Sequence, residues 1–305
     1  MKGLIKQTGN VYRSIFERYP FSDQANSLSC DPLFIISAGR SGTTLLRSML
    51  VASGLIAIPP ETQILQDLVL KFNTMQGLGW EEITRLFIAE FESHHYFKLW
   101  SSDLSPVYQT VLHFPENERS LARLIDEVYK TYAAQQFPNA LVWGDQSPIY
   151  TFYFPYIKKV FPDARYLHLV RDGRDVIASL IKKDGQDYFH EAIYRWKESI
   201  KRSRKLQHEV GSDKFMEIKY ENLVNEPETT LKLISGFIGI EYNSKMLDYW
   251  KLDSTVESKF YKFHRNLEKP VFTSSIGGWK NKLSAEQKKL LDTEIKIILN
   301  DLEYT

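Results

Sequence analysis

Short apolar runs rich in β-branched and aromatic residues recur along the chain at 33–37 (LFIIS), 55–58 (LIAI), 141–143 (LVW), 165–170 (RYLHLV) and 214–219 (KFMEIK). Their length and composition predict buried strands. Helical spacing fills most of the intervals. Residues 118–137 place Leu121, Leu124, Ile125, Val128 and Tyr132 on one face. The stretch 225–239 offers Asn225 as a cap and Pro227 inside the first turn, and the last helix opens at Ser284 with a Ser-x-x-Gln capping box ending at Gln287. Strands alternating with helices predict an α/β fold of three layers, a central and mainly parallel sheet of about five strands flanked by helices. Ligands in such folds sit at the carboxyl ends of the strands. Residues 72–115, aromatic-rich, and 253–275 depart from this rhythm. The first reads as an insert and residues 1–30 as an N-terminal extension, within a single domain spanning 1–305.

Composition narrows the function classes. At 305 residues, 43% hydrophobic and 25% charged, the chain suits one large globular domain. A formal charge of +1 provides no global basic field for nucleic acid or a long polyanion, so anion recognition has to be local. The basic run 195–209 (RWKESIKRSRKLQHE) reads as a solvated helix face with a thin apolar stripe of Trp196, Ile200 and Leu206. One cysteine, Cys30, excludes an internal disulfide, and the N-terminus shows neither a signal peptide nor an apolar span. A cytoplasmic protein is expected, without nucleic-acid partners or a membrane span; a homodimer stays open.

Two stretches carry chemistry. The first, PLFIISAGRSGTTLLRSML (32–50), reads as strand, glycine loop and helix. It fails the Walker A pattern, having Ser37 where the first glycine belongs and Thr43 where the lysine belongs. What survives is Gly42 in the turn, the hydroxyls of Thr43 and Thr44, and helix-start amides, with Arg40 as a substitute cation. A plain strand-to-helix turn is the alternative. The second, RYLHLVRDGRDVIASLIKK (165–183), repeats the arrangement with Arg171 at the strand end and Ser179 eight residues on. Here the alternative is mutual pairing of Arg171, Asp172, Arg174 and Asp175 on a surface.

Together these motifs are similar to those of the sulfotransferases that use 3′-phosphoadenosine 5′-phosphosulfate (PAPS). SAGRSGTT (37–44) resembles their phosphosulfate loop and RDGRDVIAS (171–179) their 3′-phosphate motif; YENLVNEP (220–227) and GGWKNKLS (277–284) extend the likeness over about residues 33–285. The resemblance implies PAPS as co-substrate and no metal. It assigns Arg40, Ser41, Gly42, Thr43, Thr44 and Leu45 to the phosphosulfate. It assigns Arg171 and Ser179, with Lys183, to the 3′-phosphate, Tyr220 to adenine stacking, and Trp279 and Lys280 to a loop over the nucleotide. The Arg-Lys-Gly that precedes this loop in many cytosolic members is here Phe272, Thr273 and Ser274.

Sulfuryl transfer, like phosphoryl transfer, needs a base for the acceptor proton and positive groups at the leaving oxygen. Glu61, 21 residues after Arg40, matches the catalytic glutamate of the tyrosylprotein and Golgi-type branch; by itself it also reads as a helix-start glutamate. His94, His95 and His113 are rival bases. Gln146 stands where related sequences carry lysine, which shifts stabilisation of the leaving group onto Arg40 and the helix amides, with Lys280 as a compensating cation. The acceptor is expected to be a hydroxyl, or an amine, on a small molecule or sugar, in a pocket made partly apolar by the aromatics of 91–114. A peptide tyrosine remains an alternative. The rival functions are a P-loop kinase and a non-catalytic module binding 3′-phosphoadenosine 5′-phosphate (PAP).

Overall fold

A computed structural model describes residues 18–251 and 267–304. The described elements run in order β1 (Leu33–Ile36), α1 (Thr43–Val51), β2 (Ile56–Ala57), α2 (Leu65–Thr74), α3 (Trp80–Ser93), α4 (Ser105–Leu112), α5 (Leu121–Gln136) and β3 (Val142–Gln146). They continue with α6 (Tyr150–Val160), β4 (Arg165–Val170), α7 (Gly173–Asp184), α8 (Phe189–Val210), β5 (Phe215–Lys219), α9 (Tyr220–Asn225) and α10 (Pro227–Ile238). After a helical turn at Trp279–Lys282 come α11 (Ala285–Glu294) and α12 (Lys296–Asp301).

All five strands pair in parallel in the order β2-β3-β1-β4-β5, as the alternation of elements predicted. β1 is central and entirely buried, and its period of two divides the core. Phe34 and Ile36 join the large cluster under α2 to α6, whereas Leu33 and Ile35 join the cluster that holds α1 and α10. Helices therefore cover both faces, giving three layers. A third cluster ties α7 and α8 to the C-terminal helices α11 and α12.

Several local expectations change. Asn225 ends α9 instead of capping α10, whose N-cap is Glu226 with Pro227 at the first helical position. The Ser284 capping box does form, with Gln287 N–H donating to Ser284 Oγ at 3.2 Å. Residues 72–115 are mostly helical, and Phe72, Trp80, Phe87, Phe91, Phe97, Trp100 and Phe114 are buried in the large cluster. Apolar area buried that way stabilises the layer and is not available to a ligand. The described part of the N-terminal extension is also built in: Tyr19 and Phe21 are core residues, and the carbonyls of Pro20 and Phe21 accept from Leu121 and Ala122 at 3.0 and 2.9 Å. With Ser120 Oγ accepting from Arg123 N, these bonds satisfy donors in the first turn of α5. Most of 253–275 lies outside the described residues. Among the described residues no helix is long and apolar enough to cross a membrane.

Gly144 in β3 stands opposite Leu33, and a Cβ there would lie 2.6 Å from the Leu33 carbonyl oxygen. Gly144→Ala should therefore cost about 1–3 kcal/mol. Gly236, exposed in α10 with no atom within 4 Å of an added Cβ, should give the opposite sign, Gly236→Ala stabilising by about 0.5–1 kcal/mol. Urea unfolding of both variants measures the contrast.

Candidate active site

The chain leaves β1 through α1 toward β2 on one side of the sheet, and leaves β4 through α7 and α8 toward β5 on the other. Reversal of direction opens a crevice between the tips of β1 and β4. A cavity of about 1020 Å³ lies there, lined by both sequence motifs and by Glu61.

The tip of β1 is fixed from outside the loop. Thr151 Oγ1 on α6 accepts from the Ser37 amide at 3.0 Å and donates to its carbonyl at 2.9 Å. Beyond it, Arg40 takes φ 70°, and Gly42 takes φ 101° as the N-cap of α1 with no side chain to close the helix start. The first-turn amides of α1 are thereby left for a ligand. Gly42 is required twice over, because its φ disfavours L side chains and a Cβ would meet the Tyr220 ring at 2.5 Å. Ser41 is 1% exposed, and its buried hydroxyl has no hydrogen-bond partner among the described residues. Thr43 Oγ1 accepts from Gln146 Nε2 at 3.0 Å, so the glutamine reaches the loop from the end of β3 as a neutral donor.

At the tip of β4, Arg171 donates to the carbonyls of Arg40 at 3.2 Å and Ser275 at 2.7 Å, while its buried Nε has no partner among the described residues. Its guanidinium carbon lies 4.3 Å from the Tyr220 ring centroid. Of the four charges whose mutual pairing was the alternative reading, Asp172 and Arg174 do pair at 2.8 Å. Asp175 instead accepts from the amides of Gly277 and Trp279 at 2.7 and 2.8 Å. Arg171 takes part in neither arrangement and faces the cavity. Ser179, two turns along α7, accepts from Arg40 Nε at 3.1 Å. Burial, then the nearby Arg171 charge, pulls the Arg40 pKa down from its ordinary value. Two guanidinium groups thus meet at the strand tips, and the Ser41 hydroxyl and Arg171 Nε have no hydrogen-bond partner among the described residues, a chemistry that suits an anion.

The opposite wall is Pro60, Glu61, Gln63, Tyr96, Pro148, Ile149, Phe152 and Arg195. Glu61 follows β2 and accepts from Gln63 Nε2; Gln63, like Arg40, has a positive φ, 60°. Backbone strain of this kind collects at functional sites. None of the rival histidines lines the cavity. His95 and His113 are exposed, and burial lowers the pKa of His94, which lies outside the cavity with them.

Tyr220 lines the cavity at 6% exposure, with the Arg171 guanidinium over its ring and Gly42 against its edge. Some expected site residues do not line it, the buried Ser41 among them. Trp279 stacks under Arg174 at 4.3 Å, and Lys280 is exposed; neither lines the cavity. Lys183 lines it as expected, together with Lys182 and Lys282, which the sequence reading did not name. Of the aromatics in 91–114, Tyr96 alone faces it. Phe152, Arg195 and Ser275 went unread in the sequence because they carry no motif of their own.

A family model described as "Sulfotransferase family" matches residues 32–244, which takes in both anion motifs and Glu61. The chain belongs to the sulfotransferase family. Among curated sulfotransferases, protein-tyrosine sulfotransferase 2 of Gallus gallus is 25% identical over 81% of this chain and 62% of its own length. This chain thus spans less than two thirds of that relative. The omega-hydroxy-beta-dihydromenaquinone-9 sulfotransferase Stf3 of Mycobacterium bovis is 22% identical over 68% of this chain and 63% of its own. The sulfotransferase domain of the Synechococcus PCC 7002 olefin synthase superposes with a TM-score of 0.61 at 22% identity, covering 89% of this chain and 97% of the domain, a likeness of fold.

Beneath Gln146 this sulfotransferase-family chain buries a carboxylate. Asp145, 2% exposed, accepts from the hydroxyls of Tyr129 and Ser147. Burial pushes its pKa up to about 6 from 3.8, against the pull of those hydroxyls and of Arg47. Between these values the folded chain binds more protons than the unfolded one. Asp145 therefore favours folding most strongly below about pH 4, and that contribution is lost as pH rises through about 6, a change on the order of 3 kcal/mol. Asp145→Asn should flatten this part of the stability profile between pH 4 and 7 in urea unfolding; an unchanged difference between pH 4 and 7 would contradict the assignment.

Proposed function

We propose that the chain transfers the sulfuryl group of PAPS to an acceptor hydroxyl, releasing PAP. One observation carries the reading: Arg171, whose buried Nε lacks a partner among the described residues, lines one cavity together with the Arg40–Leu45 loop and the Glu61 carboxylate. A donor with anionic groups at both ends of an adenosine suits a cavity lined by both motifs.

The α1 amides, Ser41, Thr43 and Thr44 hold the phosphosulfate, and Arg171, Ser179 and Lys183 hold the 3′-phosphate. Glu61 accepts the acceptor's proton as the acceptor oxygen bonds to sulfur. The bond from sulfur to the phosphate oxygen breaks, and its electron pair stays with the phosphate. Negative charge growing there is met by oriented amides and by the Thr43 hydroxyl, itself held by Gln146. The donor is a substrate, and the step draws on no metal.

The acceptor wall of Pro60, Tyr96, Pro148, Ile149 and Phe152 supports a small molecule or sugar with an apolar face. A protein tyrosine is the second reading, favoured by the likeness to the Gallus gallus protein-tyrosine enzyme along most of this chain. The single cysteine suits the reducing cytosol, where we place the reaction.

Transfer of radiolabelled sulfate from PAPS into a mixed metabolite extract, a tyrosine peptide and a hydroxylated prenyl lipid tests the proposal. The wild-type chain should label one acceptor class. Glu61→Gln should lower the rate about 10²- to 10⁴-fold while leaving PAP affinity within about threefold, as expected for a proton acceptor that touches the acceptor and not the nucleotide. Full activity in that variant would remove Glu61 as the base, and magnesium-dependent ATP turnover without sulfate transfer would favour a kinase.

A further inference from the structure

The stretch GGWKNKLS (277–284) offers Lys280 as its first cation, yet the structure brings a different lysine to the cavity. Lys280 is exposed, its Nζ 5.9 Å from the Trp279 ring centroid and outside the cavity lining. Lys282, at the end of the helical turn Trp279–Lys282, lines the cavity together with Arg171, Asp175, Ser179 and Ser275. That turn is fastened to the β4–α7 motif. The Asp175 carboxylate accepts from the amides of Gly277 and Trp279 at 2.7 and 2.8 Å, and Arg171 Nη2 donates to the Ser275 carbonyl at 2.7 Å. The Tyr220 and Ser275 hydroxyls are bonded to each other at 2.8 Å.

Gly278 makes room for the lysine. Its φ of −62° is one that any residue adopts, so the backbone does not ask for glycine there. A Cβ at Gly278 would instead lie 2.7 Å from Lys282 Nζ and 3.6 Å from Asp175 Oδ1, which places the ammonium folded back over the turn near the start of α7. Among the described residues no carboxylate pairs with Lys282 within 4 Å, whereas Lys183 on α7 lies 3.7 Å from Asp184. Upstream, Phe272, Thr273 and Ser274 bring no charge.

Resting on the reading of the cavity as a PAPS site, we infer that Lys282 is the cation by which this C-terminal segment recognises the 3′-phosphate. The residues that fix its turn, Arg171 and Asp175, belong to the β4–α7 motif and not to the β1 loop, so its charge serves the 3′ end of the nucleotide. An ammonium is a point charge with three rotatable donors and reaches phosphate oxygens without the planar registry that a guanidinium needs. Lys282 then selects donors that carry a 3′-phosphate.

Nucleotides with one phosphate each separate the two ends. Calorimetric titration of the full chain with 3′-AMP, 5′-AMP and PAP compares wild type, Lys282→Gln, Lys282→Arg and Lys280→Gln. Both lysines are exposed, so none of these substitutions opens the core. Lys282→Gln should weaken 3′-AMP and PAP about 10-fold, as for loss of one charge-assisted hydrogen bond, and leave 5′-AMP within about threefold. Lys282→Arg keeps the charge and should stay within about threefold of wild type for all three ligands. Unaltered PAP affinity in Lys282→Gln, a loss for 5′-AMP as large as that for 3′-AMP, or a loss confined to Lys280→Gln would overturn the assignment and leave the donor reading standing. A wild-type chain that binds none of the three would remove the donor reading, and this assignment with it.

Discussion

The site depends on one electrostatic constraint: two arginines, Arg40 and Arg171, are brought together at the tips of neighbouring parallel strands, where Ser41 Oγ and Arg171 Nε lack a hydrogen-bond partner among the described residues. Like charges in a partly buried crevice repel, and unpartnered buried polar atoms cost on the order of 1–3 kcal/mol each. The fold supports that cost through the rigidity around it. β1 is buried between β3 and β4, and Thr151 on α6 pins Ser37, the residue that follows it. Tyr220 carries Arg171 on its ring and fills the space behind Gly42. A dianion arriving there would meet donors that are already oriented, so little reorganisation remains to be done on binding.

The same sheet edge brings the chemistry together. α1 starts at the anion loop, and Arg47 within it donates from Nε to the Ile58 carbonyl at 2.8 Å, just before the two prolines that precede Glu61. Gln146 at the end of β3 reaches Thr43. Loop, carboxylate and amide donor thus come from the ends of three adjacent strands, β1, β2 and β3, and their spacing is set by backbone pairing instead of by flexible loops.

Much of the fold was legible in the sequence because each strand is a short β-branched run bounded by helical periodicity, and parallel pairing follows from that alternation. The anion motifs were legible because a glycine that needs positive φ and a helix start leave a fixed spacing in the chain. Burial of aromatics was not: Phe91, Trp100 and Phe114 look alike in sequence whether they face a core or a ligand, and the structure puts them in the core. Side-chain direction was equally hidden. Tyr220 and Trp279 both end up stacked against arginines, Arg171 and Arg174, and Arg40 turns toward Ser179, outcomes decided by neighbours brought close by the sheet. Lys280 and Lys282 differ by two positions, yet only the latter faces the cavity.

The central claim is that the paired strand tips form one binding site for an adenosine carrying anionic groups at both ends. A crystal structure of the chain with PAP tests it directly. The account predicts one phosphate within about 3 Å of Ser41 Oγ and the α1 amides, and the other at the same distance from Arg171 Nε. A nucleotide bound elsewhere, or bound in the cavity with Ser41 Oγ and Arg171 Nε still without partners, would contradict it.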